Sequence, residues 1–192
     1  FTINIDIKRH MPSILILFFN NVASVVYLNS DITMLGLYLN DDQVGVYTVT
    51  SKIYSMIKSV INALVMVTVP RFSLYVSSKR MEEYRATLKK ISNVLIIALI
   101  PTVIGMIMEA KNIIITLAGK EYLKGLNVIR ILSFSIIFAV FSCFFSYAIL
   151  LPNKKEKGFM LATVTAAIIN ILANIILIPI LGINGAAITT LL

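Results

Sequence analysis

The chain holds a single cysteine, a single histidine and only nine carboxylates in 192 residues. Cys143 has no partner in the chain, so no internal disulfide can form and redox compartment is not legible. Its setting, FSIIFAVFSCFFSYAILL, predicts a buried, inert thiol. His10 sits beside Lys8 and Arg9 with no His, Cys or carboxylate at ligand spacing, which suits a membrane edge better than a metal or a general base. The carboxylates come partly as adjacent pairs, Asp41 with Asp42 and Glu82 with Glu83. Neighbouring side chains on a helix or turn point apart, so these pairs suit solvated charge and not acid/base chemistry. The glycines of LGING and AGKEYLKG match no phosphate-cradling pattern and serve turns or caps. With these groups missing, the chain is expected not to be an enzyme and to use neither metal nor cofactor.

Charge is scarce too. Only 14% of residues are charged against 58% hydrophobic, and the mean hydropathy is +0.91, which places the chain among membrane proteins. The opening FTINIDIKRHM lacks the basic start and short apolar core of a signal peptide, and both it and the closing GAAITTLL read as cuts within a longer pattern. Apolar stretches at 12–39, 44–76, 91–108, 128–151 and 159–178 are each long enough for a hydrocarbon core about 30 Å thick, and a sixth begins near 185 and is truncated at 192. Apolar residues run on without strict alternation, which argues against a β-barrel. Pro12 suits a first helical turn, Pro152 and Pro179 suit helix ends, and Pro70 and Pro101 fall inside spans where they should kink the helix. The fold class is therefore an all-α, polytopic bundle of about five full spans plus a truncated sixth.

Positive charge divides unevenly between the connecting segments. Lys8, Arg9, Lys79, Arg80, Arg85, Lys89, Lys90, Lys154, Lys155 and Lys157 fall on one side, and only Lys111, Lys120 and Lys124 on the other. The richer side faces the cytoplasm, so residues 1–11, 77–90 and 152–158 are expected inside. The net charge of +8 then implies an inner face attracted to anionic membrane lipid. No nucleic-acid partner is expected, because the aromatics belong to the spans and do not interleave with exposed cations.

The first helical hairpin carries the candidate site. Asn20, Ser24, Tyr27 and Asp31 share one face of the first helix, and Ser51, Ser55, Lys58 and Asn62 share one face of the second, with Lys52 one position round. With the turn centred between Asp41 and Asp42, Asp31 falls level with Lys52 and is expected to offset it. Ionisable groups inside spans usually face a bundle interior or a water-filled cavity. Snorkelling to the surface competes with that reading for Lys52. Lys58 lies about 9 Å deeper, where snorkelling is hard.

The stretch NSDITMLGLYLNDDQVGVYTVTSKIYSMIKSVINALVMVTVPRFS resembles the central signature of bacterial polysaccharide flippases. In that signature an Asp precedes Met-Leu-Gly, a Gly-x-Tyr follows the turn, and Pro-Arg-x-Ser closes the helix. LAGKEYLKGLNVIRILSF resembles the family's outer loop, and NILANIILIPILGINGAAITTLL is similar to its late helix with paired asparagines. These proteins share a superfamily with multidrug and toxin exporters. The resemblance implies twelve to fourteen helices in two pseudo-symmetric lobes, of which this chain would be the second, from the seventh helix to the start of the twelfth. It implies alternating access and a lipid-linked oligosaccharide on an undecaprenyl diphosphate, carried across a bacterial cytoplasmic membrane for polysaccharide (exopolysaccharide) biosynthesis. The first lobe of the full-length chain would complete the cavity. An ion-coupled drug exporter is the nearest alternative, although it would favour cavity carboxylates. A membrane glycan polymerase or ligase would show a large outer loop, and the outer segments here are short.

Overall fold

The structure, a computed structural model, describes residues 7–191, without the side chains of residues 7–10 and 13. The expectations for Lys8, Arg9 and His10 therefore lie outside the described residues. Helix α1 (Ile7–Tyr38) turns at Leu39 and Asn40 into α2 (Asp41–Met66), which is followed by α3 (Val69–Ser77) and α4 (Met81–Met108). A short α5 (Ala110–Leu117) and a 3₁₀ turn (Lys120–Gly125) lead into α6 (Leu126–Phe144). That helix widens into a π-helical segment (Phe145–Leu150) before α7 (Glu156–Leu181) and α8 (Ile183–Leu191). The described residues contain no strand.

Five stretches are long and apolar enough to cross a membrane: Ile14–Tyr38, Asp41–Ser77, Met81–Met108, Lys120–Leu150 and Glu156–Leu181. They match the apolar runs to within a few residues, except that the helices begin earlier than the third, fourth and fifth runs. Met81–Lys90 is polar yet helical, because hydropathy marks hydrocarbon whereas the i to i−4 hydrogen bond marks the helix, and a helix can extend beyond the bilayer.

Sequence explains the boundaries. Asn40 caps α2, its side chain accepting from the Gln43 amide at 3.2 Å, while Asp41 and Asp42 meet the positive end of the helix dipole. The second span breaks at Val67 and Thr68, so that Pro70 falls in the first turn of α3, where its missing N–H has no helical partner to lose. Pro101 lies inside an unbroken α4, and Pro12 lies inside α1 instead of opening it.

Successive spans are antiparallel, which gives the bundle two ends. One carries Asn40, α5 and the turn at Gly182. The other carries the cation-rich turns at Ser78–Arg80 and Pro152–Lys155. Helix α6 forms the centre, with Val128, Ile129, Leu132, Ile136 and Val140 all at most 1% exposed. A β-carbon at Gly125 would collide with Thr50 of α2, and one at Gly185 would collide with the Leu177 carbonyl, so both close approaches require glycine. At the cation-rich end Phe72, Tyr84 and Phe144 pack edge to face, and the Tyr84 hydroxyl donates to the Ala148 carbonyl at 2.9 Å.

Candidate functional site: a satisfied carboxylate and a half-buried lysine in one hairpin

Helix α1 packs mainly along α7, and the contact is polar at its centre. The Asp31 side chain is 7% exposed and accepts three hydrogen bonds. They come from Asn174 Nδ2 at 2.7 Å, Thr190 Oγ1 at 2.7 Å and Tyr47 Oη at 2.8 Å, that is, from α7, α8 and α2. The cluster continues outward. Thr189 Oγ1 donates to Asn174 Oδ1 at 2.6 Å, and Asn170 Oδ1 accepts from Asn174 Nδ2 at 3.1 Å and from Ser30 Oγ at 2.9 Å. One carboxyl group and its neutral donors thus tie four helices together. In lipid the alternative for each donor is an unsatisfied polar group, which is why such clusters hold helices.

Asp31 does not pair with Lys52. The two ion pairs among the described residues are Arg80 with Glu83 and Lys124 with Asp42, both exposed. The reason lies in the turn. Helix α2 begins at Asp41, so the hairpin centres between Leu39 and Asn40 and not between the two aspartates. Asp31 therefore falls level with Tyr47 and Thr48, about one turn short of Lys52. Lys52 is exposed, as snorkelling would require.

Lys58 behaves otherwise. It is half-buried, its Nζ lies 4.7 Å from the centroid of the Tyr54 ring, and no carboxylate reaches it among the described residues. A cation over an aromatic face gains about 0.5–2 kcal/mol, which does not neutralise it. The two polar stripes are each satisfied only in part. Ser24 donates to the Asn20 carbonyl at 2.9 Å, and Ser51 to the Thr48 carbonyl at 3.0 Å. Ser55 is exposed and Tyr27 half-buried. The side-chain oxygens Asn20 Oδ1 and Asn62 Oδ1 are buried without a donor among the described residues.

Tyr47, Ser30, Asn170, Asn174, Thr189 and Thr190 are absent from the site as read in the sequence. Two signals pointed to them. Tyr47 continues the stripe of Ser51, Ser55 and Lys58 by one more step of four, and Asn170 and Asn174 lie with Thr163 and Ala167 on one face of α7. Cys143 is half-buried, and among the described residues no three His, Cys, Asp or Glu side chains gather. Two surface clefts, of about 340 Å³ beside Glu109 and Asn112 and about 190 Å³ beside Asp42 and Lys124, lie away from Lys58.

The first hairpin also carries the likeness to known proteins. A family described as "Polysaccharide biosynthesis protein" matches residues 6–76. A probable flippase of Haloferax volcanii, AglR, is 24% identical over 176 residues, covering 90% of this chain and 37% of its own. A probable low-salt glycan biosynthesis flippase of the same organism, Agl15, is 21% identical over 173 residues, covering 90% of this chain and 36% of its own. These matches are a likeness to the polysaccharide flippases. The chain spans about a third of the length of these relatives. No solved structure matches the chain. The five helices long and apolar enough to cross a membrane, together with relatives named as flippases, support a multi-pass membrane protein.

Proposed function

We propose that the chain is the second lobe of a flippase that moves an undecaprenyl-diphosphate-linked oligosaccharide from the cytoplasmic to the outer leaflet by alternating access. Residues 1–11, 77–90 and 152–158 lie on the cytoplasmic side of the cytoplasmic membrane, and the first lobe of the full-length protein closes the cavity. Lys58 is the observation that carries this reading. It stands seventeen residues, or about 25 Å of helix, from Asp41, with an aromatic ring for company and no carboxylate among the described residues. An intramembrane cation without a counter-ion is costly, and the diphosphate of the substrate supplies one. Asn20 Oδ1 and Asn62 Oδ1, on the same stripes, lack donors among the described residues, and sugar hydroxyls are donors. Ser24, Tyr27, Ser55 and Lys52 complete the polar lining. Asp31 lines it least, since three neighbours already occupy its oxygens. That occupation also weighs against an exporter of cationic drugs, which needs a carboxylate free to meet its substrate.

The reading is tested in the full-length protein at matched expression. Export of the lipid-linked glycan should fall on Lys58→Ala, survive largely on Lys58→Arg and vanish on Lys58→Glu, because a carboxylate repels the diphosphate. Normal export by Lys58→Glu would overturn the substrate role. For orientation, a cysteine at Ser78 should react only with reagents that enter the cytoplasm and one at Asp42 only from outside; the reverse pattern would invert the topology.

A further inference from the structure

Four described residues have a positive φ, and they divide by end. At the end of the bundle carrying Asn40 they are Gly119 and Gly182, with φ of 111° and 58°. At the cation-rich end they are Lys79 and Lys154, both with φ of 57°. The two lysines close helices in the same way. The Arg80 amide bonds to the Tyr75 carbonyl at 2.9 Å and the Lys79 amide to the Val76 carbonyl at 3.2 Å. The Lys155 amide bonds to the Leu150 carbonyl at 2.9 Å and the Lys154 amide to the Leu151 carbonyl at 3.0 Å. Glycine normally takes that position because a β-carbon is strained there. A lysine repeated at both turns adds nothing to the backbone, so what it contributes is a side chain.

That side chain is exposed at both turns, and the turns are fixed side by side. Asn153, next to Lys154, donates to the Tyr84 hydroxyl at 3.2 Å and to the Ile149 carbonyl at 2.8 Å. Tyr84 lies one turn below Arg80, whose guanidinium sits 5.5 Å from the centre of the Tyr75 ring. Arg80, Arg85, Lys89, Lys90, Lys155 and Lys157 are exposed around them. The acidic groups of the same elements are Glu82, Glu83 and Glu156, and Glu83 is engaged by Arg80. Just inside this rim the surface turns apolar, with Leu74 54% and Phe145 53% exposed.

We infer that the two turns form a binding surface for the phosphate headgroup of an anionic bilayer lipid, with Lys79 and Lys154 contacting the phosphate and the exposed apolar residues below accommodating acyl chain. The apolar surface directly beneath the cations distinguishes a lipid from free phosphate. The inference requires only that the helices span a membrane, and it is independent of what is transported.

The test uses the full-length protein in neutral detergent, with its melting temperature followed as phosphatidylglycerol, phosphatidylcholine or inorganic phosphate is added. Phosphatidylglycerol should raise the melting temperature well above the level reached with phosphatidylcholine, and inorganic phosphate should not reproduce the rise. The double change Lys79→Gly with Lys154→Gly keeps the backbone conformation comfortable and should at least halve the rise, while Lys79→Arg with Lys154→Arg should keep it. Should the glycine variant not fold, Lys79→Asn with Lys154→Asn takes its place, because asparagine tolerates the same conformation without charge. An undiminished rise in the uncharged variant, or an equal rise with inorganic phosphate, would overturn the lipid site.

Discussion

Asp31 and Lys58 lie in the same helical hairpin and at similar cost to the membrane, yet the fold treats them oppositely. Asp31 is enclosed by donors from three other helices, at 2.7, 2.7 and 2.8 Å. Lys58 has one ring beside it and no opposite charge among the described residues. An ionisable group inside a span is therefore either absorbed by the packing or left over for something that arrives later. Counting partners separates the two cases, whereas charge and depth alone do not.

The sharpest way to break that contrast is to compare stability. Asp31→Ala strands the buried Tyr47 and Asn174 donors at about 1–3 kcal/mol each, while Thr190 keeps the Ala186 carbonyl, so a loss of roughly 2 kcal/mol or more is expected in thermal unfolding of the full-length protein. A wild-type melting curve for Asp31→Ala would show the cluster to be idle. A smaller effect is expected at the seam between α1 and α7. Ala167 is 5% exposed and its neighbour Ile168 is 53% exposed, so Ala167→Leu should cost about 1–3 kcal/mol by overpacking while Ile168→Leu costs little. Equal melting of the two would place the seam elsewhere. The smallest effect belongs to the lysines. Lys52→Ala and Lys58→Ala should each shift stability by no more than about 0.5 kcal/mol, since neither removes a partner from a buried carboxylate. A loss at Lys52 comparable to that of Asp31→Ala would restore the ion pair expected from the sequence.

The all-helical fold and its five long apolar helices were legible because periodicity and hydropathy are local. So was the small, polar face of α7, whose Ala167, Asn170 and Asn174 are all buried. What those faces meet was not legible. Asn174 reaches Asp31 across 143 positions of sequence, and no local pattern says that α1 packs more extensively on α7 than on α2. The assignment of Asp31 to Lys52 failed by a smaller margin, a shift of two residues in the centre of one turn. Asn40 was the missed signal, an N-cap residue standing immediately before the aspartates.

The π-helical segment after α6 places the end of the helix in phase with its neighbour. There the Leu151 amide bonds to the Ser146 carbonyl, five residues back instead of four, so the chain carries one residue more than ordinary winding would use. One residue corresponds to about 100° of rotation. Without it Asn153 would swing about a quarter-turn away from the Tyr84 hydroxyl that it now meets at 3.2 Å. The alignment of the two basic turns thus rests on a length as well as on the Asn153 side chain. Substitutions through Phe145–Leu150 would pass over it, whereas the removal of any one residue there would turn the whole following loop to a different neighbour.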